Sequence, residues 1–525
     1  VATGHTRWAT HGEPSDRNAH PHVAGKFSVV HNGIIENYRE LKEELAEGGA
    51  EFDSDTDSEV IVRLLDKYYS GDLPAAVAAT VKRLKGSYAL GILCEDFDGI
   101  IAVKYKSPVV VGFGEKGVAL CSDIPALPEW VSAVCVPEDG DIVSISAQSA
   151  SFYDSELQPV NRVRRPIFAG QFNCGRGDYP HYMLKEIYET ERTVRDTCDA
   201  FFRNVDVKRL TDYVRGADRI ILTGCGTAYN AGLVAKRFFS DRCGVFCQVE
   251  IASELRYSPV HITGSTLVLA ISQSGETADT VEAVSALKDA GARVVAVTNC
   301  GYSAITRVAH LTVPVCAGAE VCVAATKSYI GQLAALYLIS RLTADVFTAR
   351  RELLTAGEKV GELLKDCGRA DKIAEECAES SAVFFLGRGA DYAVAVEASL
   401  KLKEISYIFS DGYPAGELKH GTLALIDDNT LSVIIICDES LAEKCENAVS
   451  QVSSRKGRVA VVTCLESVAE KLKDTATVWK IPECSEKLSP FVSAVALQLV
   501  AYKTAVSLGR DPDKPRNLAK SVTVE

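Results

Sequence analysis

Short hydrophobic runs separated by polar, helix-patterned stretches set the order of this chain. Up to about residue 150 the runs predict strands at Phe27–His31, Ser87–Cys94, Gly99–Tyr105, Val109–Gly112, Val118–Cys121 and Ile142–Ser146. Helical periodicity fills Glu36–Gly48 and Ser58–Tyr69. Asn32-Gly33 is a turn signal closing the first of those strands. Strands layered with helices, an α+β unit, follow from this order. Residues 151–190 are less regular and read as a connection, and His181–Asn204 is one helical pattern opening the next unit.

From about residue 205 the periodicity changes. Apolar strand runs at Ile220–Leu222, Thr266–Ile271, Val294–Thr298 and Leu311–Pro314 alternate with helical stretches. The same alternation returns with Val383–Leu386, Ser432–Ile436, Val459–Val462 and Thr477–Lys480. That is a doubly wound parallel α/β pattern occurring twice. ILTGCGTAYNAG (221–232) and FFLGRGADYAVA (384–395) open the two halves alike, a weak internal duplication. A bare Gly-x-Gly is usually only a tight strand-to-helix turn. Two at matching positions, one with a polar loop downstream, point to ligand binding at the carboxyl ends of the strands.

That polar loop lies in LVLAISQSGETADT (267–280). A buried-strand run breaks into Ser272, Gln273, Ser274, Gly275 and Thr277, and the helix-patterned run Ala278–Ala290 follows at once. Free N–H groups and the positive end of a helix dipole make such a turn an anion site. Three hydroxyls and an amide add uncharged donors, so the loop reads as a phosphate cradle.

Composition narrows the function. A chain of 525 residues, 47% hydrophobic and 24% charged, is ordinary for a multidomain globular protein. The net charge of −13 argues against nucleic-acid partners and offers no polybasic membrane patch. No apolar run approaches the ~18 residues that span a bilayer, and no signal peptide opens the chain. The 17 cysteines are scattered, without C-x-x-C pairs, so neither a disulfide framework nor a structural zinc site is expected. No metal and no cofactor is predicted, and a reduced, cytoplasmic setting is. The chain opens on Val1 and runs directly into a dense motif at His5, which predicts a polypeptide missing its true N-terminus.

Four motifs point to one family. They are HTRWATHGEPSDRNAHPH (5–22), SQSGETADT (272–280), EASLKLKEISYI with GELKHG (within 397–421), and PRNLAKSVTVE (515–525). Together they resemble the glutamine–fructose-6-phosphate aminotransferases, or glucosamine-6-phosphate synthases. The resemblance implies an Ntn-type glutamine amidotransferase remnant (1–155), a linker (156–190), two sugar-isomerase (SIS) domains (191–360 and 361–510) and an active-site tail (511–525). The implied reaction makes D-glucosamine 6-phosphate and L-glutamate from D-fructose 6-phosphate and L-glutamine, the first step of hexosamine synthesis. The family's glutaminase nucleophile is an N-terminal cysteine upstream of the first motif. It is absent here, so the glutaminase half-reaction is not expected of the chain as it stands.

Site residues follow by matching positions. Arg7 suits a forked grip on the glutamine carboxylate, with Thr10 and His11 beside it. Asp57 holds the α-ammonium, Asn32 and Gly33 form the oxyanion hole, and Trp8 gates the ammonia channel. For Arg7 and Asp57 alone the bland alternative is a solvated charge, and for Asn32-Gly33 a hairpin turn. The phosphosugar falls to Ser272, Gln273, Ser274 and Thr277, with Thr227 at the first turn and Val323 through its backbone. Ala325 stands where the family has serine, which puts one side-chain contact in doubt, and Cys225 is read as small and buried. Glu397, Lys401 and Glu404 are spaced to share a helix face; by spacing alone they are a solvated ion-pair ladder, and by resemblance Glu404 is the isomerising base with Lys401 and Glu397 supporting it. His420 suits sugar ring opening and in the family reaches a neighbouring subunit, implying a homodimer. Thr422 replaces the proline usual after that histidine. Lys520 matches the lysine that forms an imine with the ketose; its bland alternative is a frayed terminus. Two other functions keep some of these groups. A sugar-phosphate sensor needs only the cradle, and a phosphosugar isomerase needs no glutaminase.

Overall fold

The structure is a computed structural model, and it describes residues 1–7, 11–166, 175–240, 245–258 and 260–521. The chain divides into two units, 1–174 with 522–525, and 175–521.

The first unit carries ten strands: β1 (His22–Ala24), β2 (Phe27–Ile35), β3 (Gly86–Cys94), β4 (Phe97–Tyr105), β5 (Val110–Gly114), β6 (Gly117–Cys121), β7 (Val131–Cys135), β8 (Ile142–Ile145), β9 (Ala150–Tyr153) and β10 (Arg165–Pro166). They form two antiparallel sheets, ordered β1-β2-β3-β4-β8-β9 and β10-β7-β5-β6. Alternate residues of β2 (Phe27, Val29, Ile35) turn inward onto helices Tyr38–Glu47 and Glu59–Tyr68, whose Leu41, Leu45, Ile61 and Leu65 complete that core. Asn32-Gly33 is not a turn. Both residues lie inside β2, opposite Ala89 and Tyr88 of β3. Gly33 has φ +138°, and a Cβ there would clash with the Ser87 carbonyl oxygen, so the glycine permits close strand contact rather than reversal. The reversal is at Gly25-Lys26, between β1 and β2.

The second unit holds two five-stranded parallel sheets. The first comprises β11 (Arg219–Gly224), β12 (Phe246–Ile251), β13 (Thr266–Ser272), β14 (Arg293–Thr298) and β15 (Leu311–Pro314), ordered β12-β11-β13-β14-β15. The second comprises β16 (Ala382–Gly387), β17 (Phe409–Pro414), β18 (Thr430–Ile435), β19 (Arg458–Thr463) and β20 (Thr477–Lys480), ordered β17-β16-β18-β19-β20. Both therefore have strand order 2-1-3-4-5, and their crevices open where the order reverses, between first and third strands. β13 is buried at every position because helices cover both faces of its sheet.

Two further expectations meet a different outcome. His181–Asn204 is two helices, Tyr182–Tyr188 and Thr190–Asn204, that meet at Glu189. Among the described residues one helix, Ser489–Ser507, is long and apolar enough to cross a membrane, its most apolar 18-residue stretch having mean hydropathy 1.2, but 89% of that stretch is buried in the fold. Phe491, Val495 and Leu499 of that helix pack in the core shared by the two sheets' helices.

Candidate active site

The cradle forms as its sequence suggests. β13 ends at Ser272, and helix Ala278–Asp289 begins after Thr277. The Ser272 hydroxyl oxygen accepts the Gly275 N–H at 2.9 Å, and that of Ser274 accepts the Glu276 N–H at 3.2 Å. A hydroxyl whose oxygen is so engaged keeps its O–H to donate. Ser272 and Thr277 hydroxyls lie 3.4 Å apart. The turn requires glycine at 275: φ is +69°, and a Cβ would clash with Ser303 Oγ. Gln273 is fixed through its backbone carbonyl, which accepts from Asn299 N–H and Thr298 Oγ1.

The turn after β11 stands beside this loop, since β11 and β13 are paired neighbours. Thr227 starts helix Thr227–Ser240. Its hydroxyl donates to Glu397 Oε1 at 3.1 Å, and Asn230 Nδ2 donates to Glu397 Oε2 at 2.8 Å. Two bonds thus tie the first sheet's ligand crevice to helix Ala390–Ser406 of the second. Cys225, in the same turn, is half-buried with Sγ 3.7 Å from Thr280 Oγ1, and burial pushes its thiol up.

Glu397, Lys401 and Glu404 do share a face, but it is not a solvated one. Lys401 and Glu397 side chains are 1% and 2% exposed, and Glu404 is 21% exposed. Lys401 Nζ lies 2.6 Å from Glu404 Oε2 and 3.7 Å from Glu397 Oε1. Burial pushes Glu397 up to about 7, against the opposing pull of Lys401 and Asn230. Burial alone depresses an ammonium, yet the two carboxylates outweigh it and hold Lys401 above the ordinary lysine range. Lys401 is thus a fixed buried cation with one carboxylate on each side, the more exposed of them being Glu404.

The tail is stapled rather than frayed. Asp513 accepts the Tyr182 and Met183 N–H groups, each at 2.8 Å, and its carbonyl accepts the Val323 N–H at 3.2 Å. The Arg516 N–H donates to Tyr407 Oη at 2.9 Å while its guanidinium covers that ring. Lys520 Nζ then reaches Glu320 Oε2 at 2.7 Å. Neither Glu320 nor Asn230 stands out in the sequence, because their partners lie 200 and 167 residues away. His420 ends the short 3-10 helix Glu417–His420 and is exposed; no hydrogen bond or ion pair among the described residues joins it to Glu404, Lys401 or Lys520.

In the first unit the structure brings His11 to Asp57, Nδ1 to Oδ1 at 3.9 Å. The other Asp57 oxygen accepts the Ile35 N–H at 2.7 Å, on the strand that carries Asn32 and Gly33. Arg7 has φ +47°, and its guanidinium donates to the carbonyls of His11, Gly12 and Glu13. Its fork is therefore spent on the 11–13 loop here. Trp8 and Thr10 lie outside the described residues.

Known proteins match the chain over almost all of its length. The SIS domain family matches residues 213–340 and 377–508, and the glutamine amidotransferase domain family matches 5–129. A glutamine–fructose-6-phosphate aminotransferase (isomerizing) of Aquifex aeolicus is 43% identical over 99% of this chain and 88% of its own length. The chain belongs to the glutamine–fructose-6-phosphate aminotransferase family. A relative of that name from Clostridium perfringens is 41% identical across 100% of the chain and 89% of its own length. Among solved structures, the C-terminal domain of the Francisella tularensis glucosamine-fructose-6-phosphate aminotransferase superposes with TM-score 0.60 at 34% identity, covering 65% of this chain and 100% of that one. The family assignment agrees with the α+β first unit and the paired doubly wound sheets of the second.

Proposed function

We propose that the chain makes D-glucosamine 6-phosphate from D-fructose 6-phosphate and ammonia, and that its first unit holds the L-glutamine from which the family draws that ammonia, the cleaving nucleophile not being among these 525 residues. The observation that carries this is the buried Glu397–Lys401–Glu404 run, hydrogen-bonded through Thr227 and Asn230 to the crevice of the hydroxyl cradle. Ser272, Gln273, Ser274 and Thr277 take the phosphate, with Val323 near the sugar. Uncharged donors at a helix N-terminus bind a phosphate dianion without fixing it so tightly that product is held.

His420, supplied by a second copy of the chain in a homodimer, assists furanose opening. The Lys520 amine attacks the C2 carbonyl; water leaves and an imine forms. Ammonia then displaces the lysine at C2. Glu404 takes a proton from C1 and returns one to C2, which turns the ketose imine into an amino aldose. Lys401 orients Glu404 through their 2.6 Å ion pair, and Glu397 anchors Lys401 from the other side. On the glutamine side Asp57 and His11 are assigned to the substrate and Asn32 and Gly33 to the oxyanion, while Arg7, Thr10 and Trp8 keep the roles that the family resemblance implies for them.

The test is deuterium exchange. Fructose 6-phosphate incubated with the protein in D2O should gain label at C1 or C2 by NMR, and Glu404→Gln should abolish labelling while calorimetry still detects the phosphosugar. Labelling that survives in Glu404→Gln contradicts the assignment. A sensor that binds without chemistry would show binding and no label in either protein.

A further inference from the structure

Glu320 is a heavily engaged carboxylate of the second unit. Its side chain is 0% exposed. Oε1 accepts the Thr326 and Ser328 N–H groups at 3.0 and 3.1 Å, at the start of helix Lys327–Ser340. Oε2 accepts Ser328 Oγ at 2.7 Å and Lys520 Nζ at 2.7 Å. Burial disfavours its charge, but the Lys520 ammonium and these donors overcome that and hold it below the usual carboxylate range.

A second acid stands next to it. Glu186 Oε1 accepts the Val321 and Cys322 N–H groups at 2.5 and 3.2 Å, and its Oε2 is buried without a partner. Burial and the Glu320 charge push Glu186 up.

The same short loop serves two ends. It contributes Glu320 to the tail lysine, and its Val323 N–H binds the tail at Asp513. Among the described residues Glu320 is the one carboxylate ion-paired with Lys520.

From this geometry, and resting on the imine role proposed for Lys520, we infer that Glu320 is the positioning residue for that lysine. It acts through Lys520 and touches no atom of the sugar: it seats the tail nitrogen beside the Val323 loop. The amine then meets the ketose as a near-intramolecular partner. Losing the seat therefore lowers the rate of imine formation rather than sugar affinity.

The measurement is borohydride trapping on the full chain. Imine formation joins the Lys520 nitrogen to C2 with loss of water, and hydride from borohydride reduces the C=N bond to a stable secondary amine read by peptide mass spectrometry. With fructose 6-phosphate at saturation, Glu320→Gln should trap at least about tenfold more slowly than the unaltered chain, while the Kd for the sugar stays within about threefold. Glu320→Asp should recover part of the rate. If Glu320→Gln fails to unfold cooperatively, Ser328→Ala, which removes one donor from Oε2, decides instead, with an expected slowing of about threefold. Undiminished trapping in these variants overturns the inference while leaving the imine intact. No adduct at Lys520 in the unaltered chain overturns the imine role and this inference with it.

Discussion

The two sheets of the second unit are copies in topology and opposites in chemistry. Strand register sets the equivalence: Thr266 pairs with Arg219 at the start of β13 and β11, and Thr430 pairs with Ala382 at the start of β18 and β16. Counting along from there, Ser272, Gln273, Ser274 and Thr277 correspond to Ile436, Cys437, Asp438 and Leu441. The first copy presents hydroxyls and an amide at its crevice. The second has none at these four positions and places a carboxylate where Ser274 stands. Asp438 is turned to cap its own loop, accepting the Ser440 N–H at 3.0 Å, and Asp391 fills the neighbouring turn by accepting the Cys437 N–H at 2.8 Å. The second copy instead contributes helix Ala390–Ser406, with its buried acid–lysine–acid run. Under the proposed function the duplicated fold divides the work, one half gripping an anion and the other supplying acid–base groups. The hydrogen bonds from Thr227 and Asn230 to Glu397 are where the two roles meet.

Removing the second half's contribution should have the largest effect. Glu404→Gln should cut isomerisation of fructose 6-phosphate on the order of 10²–10⁴-fold, the usual weight of a positioned acid–base group. Phosphosugar affinity, which belongs to the first half, should move less than about threefold. A parallel loss of affinity in calorimetry would mean that the halves do not divide the work in this way.

Next comes pH. Glu397 sits at about 7 in the folded chain against an ordinary 4.5. Its folded value is raised, so between those limits the native state holds a proton that the unfolded chain has lost, and stability falls as pH rises through that window. The fall across that window is on the order of 3 kcal/mol. Glu397→Gln should flatten the fall of chemical-denaturation stability between about pH 5 and 7. An unchanged slope would remove Glu397 as its source.

Making the first half resemble the second is the next step down. Ser274→Asp copies Asp438 into the cradle and should weaken fructose 6-phosphate binding about 100-fold by like-charge repulsion. Smaller still, Thr277→Val removes one hydroxyl donor and should cost about 1.5 kcal/mol, or tenfold in Kd. If Ser274→Asp binds as well as the unaltered chain, the hydroxyl loop is not the phosphate site.

The division is partly legible in the sequence. The central strands announce themselves because both faces are covered and their residues are almost all apolar, as in β13 and β18. The edge strands β12 and β17 do not, because FCQVEI and FSDGYP carry polar residues on half-exposed backbone. Helix Leu73–Val81 is absent from the sequence reading too, although Asp72 caps it and Pro74 opens it, a start signal that is present. Asn32-Gly33 misleads because glycine at positive φ serves a close strand approach as readily as a turn. The cradle and the Glu397–Lys401–Glu404 face are readable, each being local to one loop or one helix. Burial of that face, Asn230 as donor to Glu397 and Glu320 as seat for Lys520 are not, since they arise only when segments far apart in the chain are packed together.

The central claim is that an anion gripped by the first sheet's hydroxyl loop is presented to acid–base groups of the second. A crystal structure with fructose 6-phosphate bound tests it most directly. The phosphate should accept hydrogen bonds from the Ser272, Ser274 and Thr277 hydroxyls, with C1 and C2 of the sugar against Glu404. A phosphate seated at the Asp438 loop, or a sugar whose C1 and C2 face away from Glu404, would contradict the account.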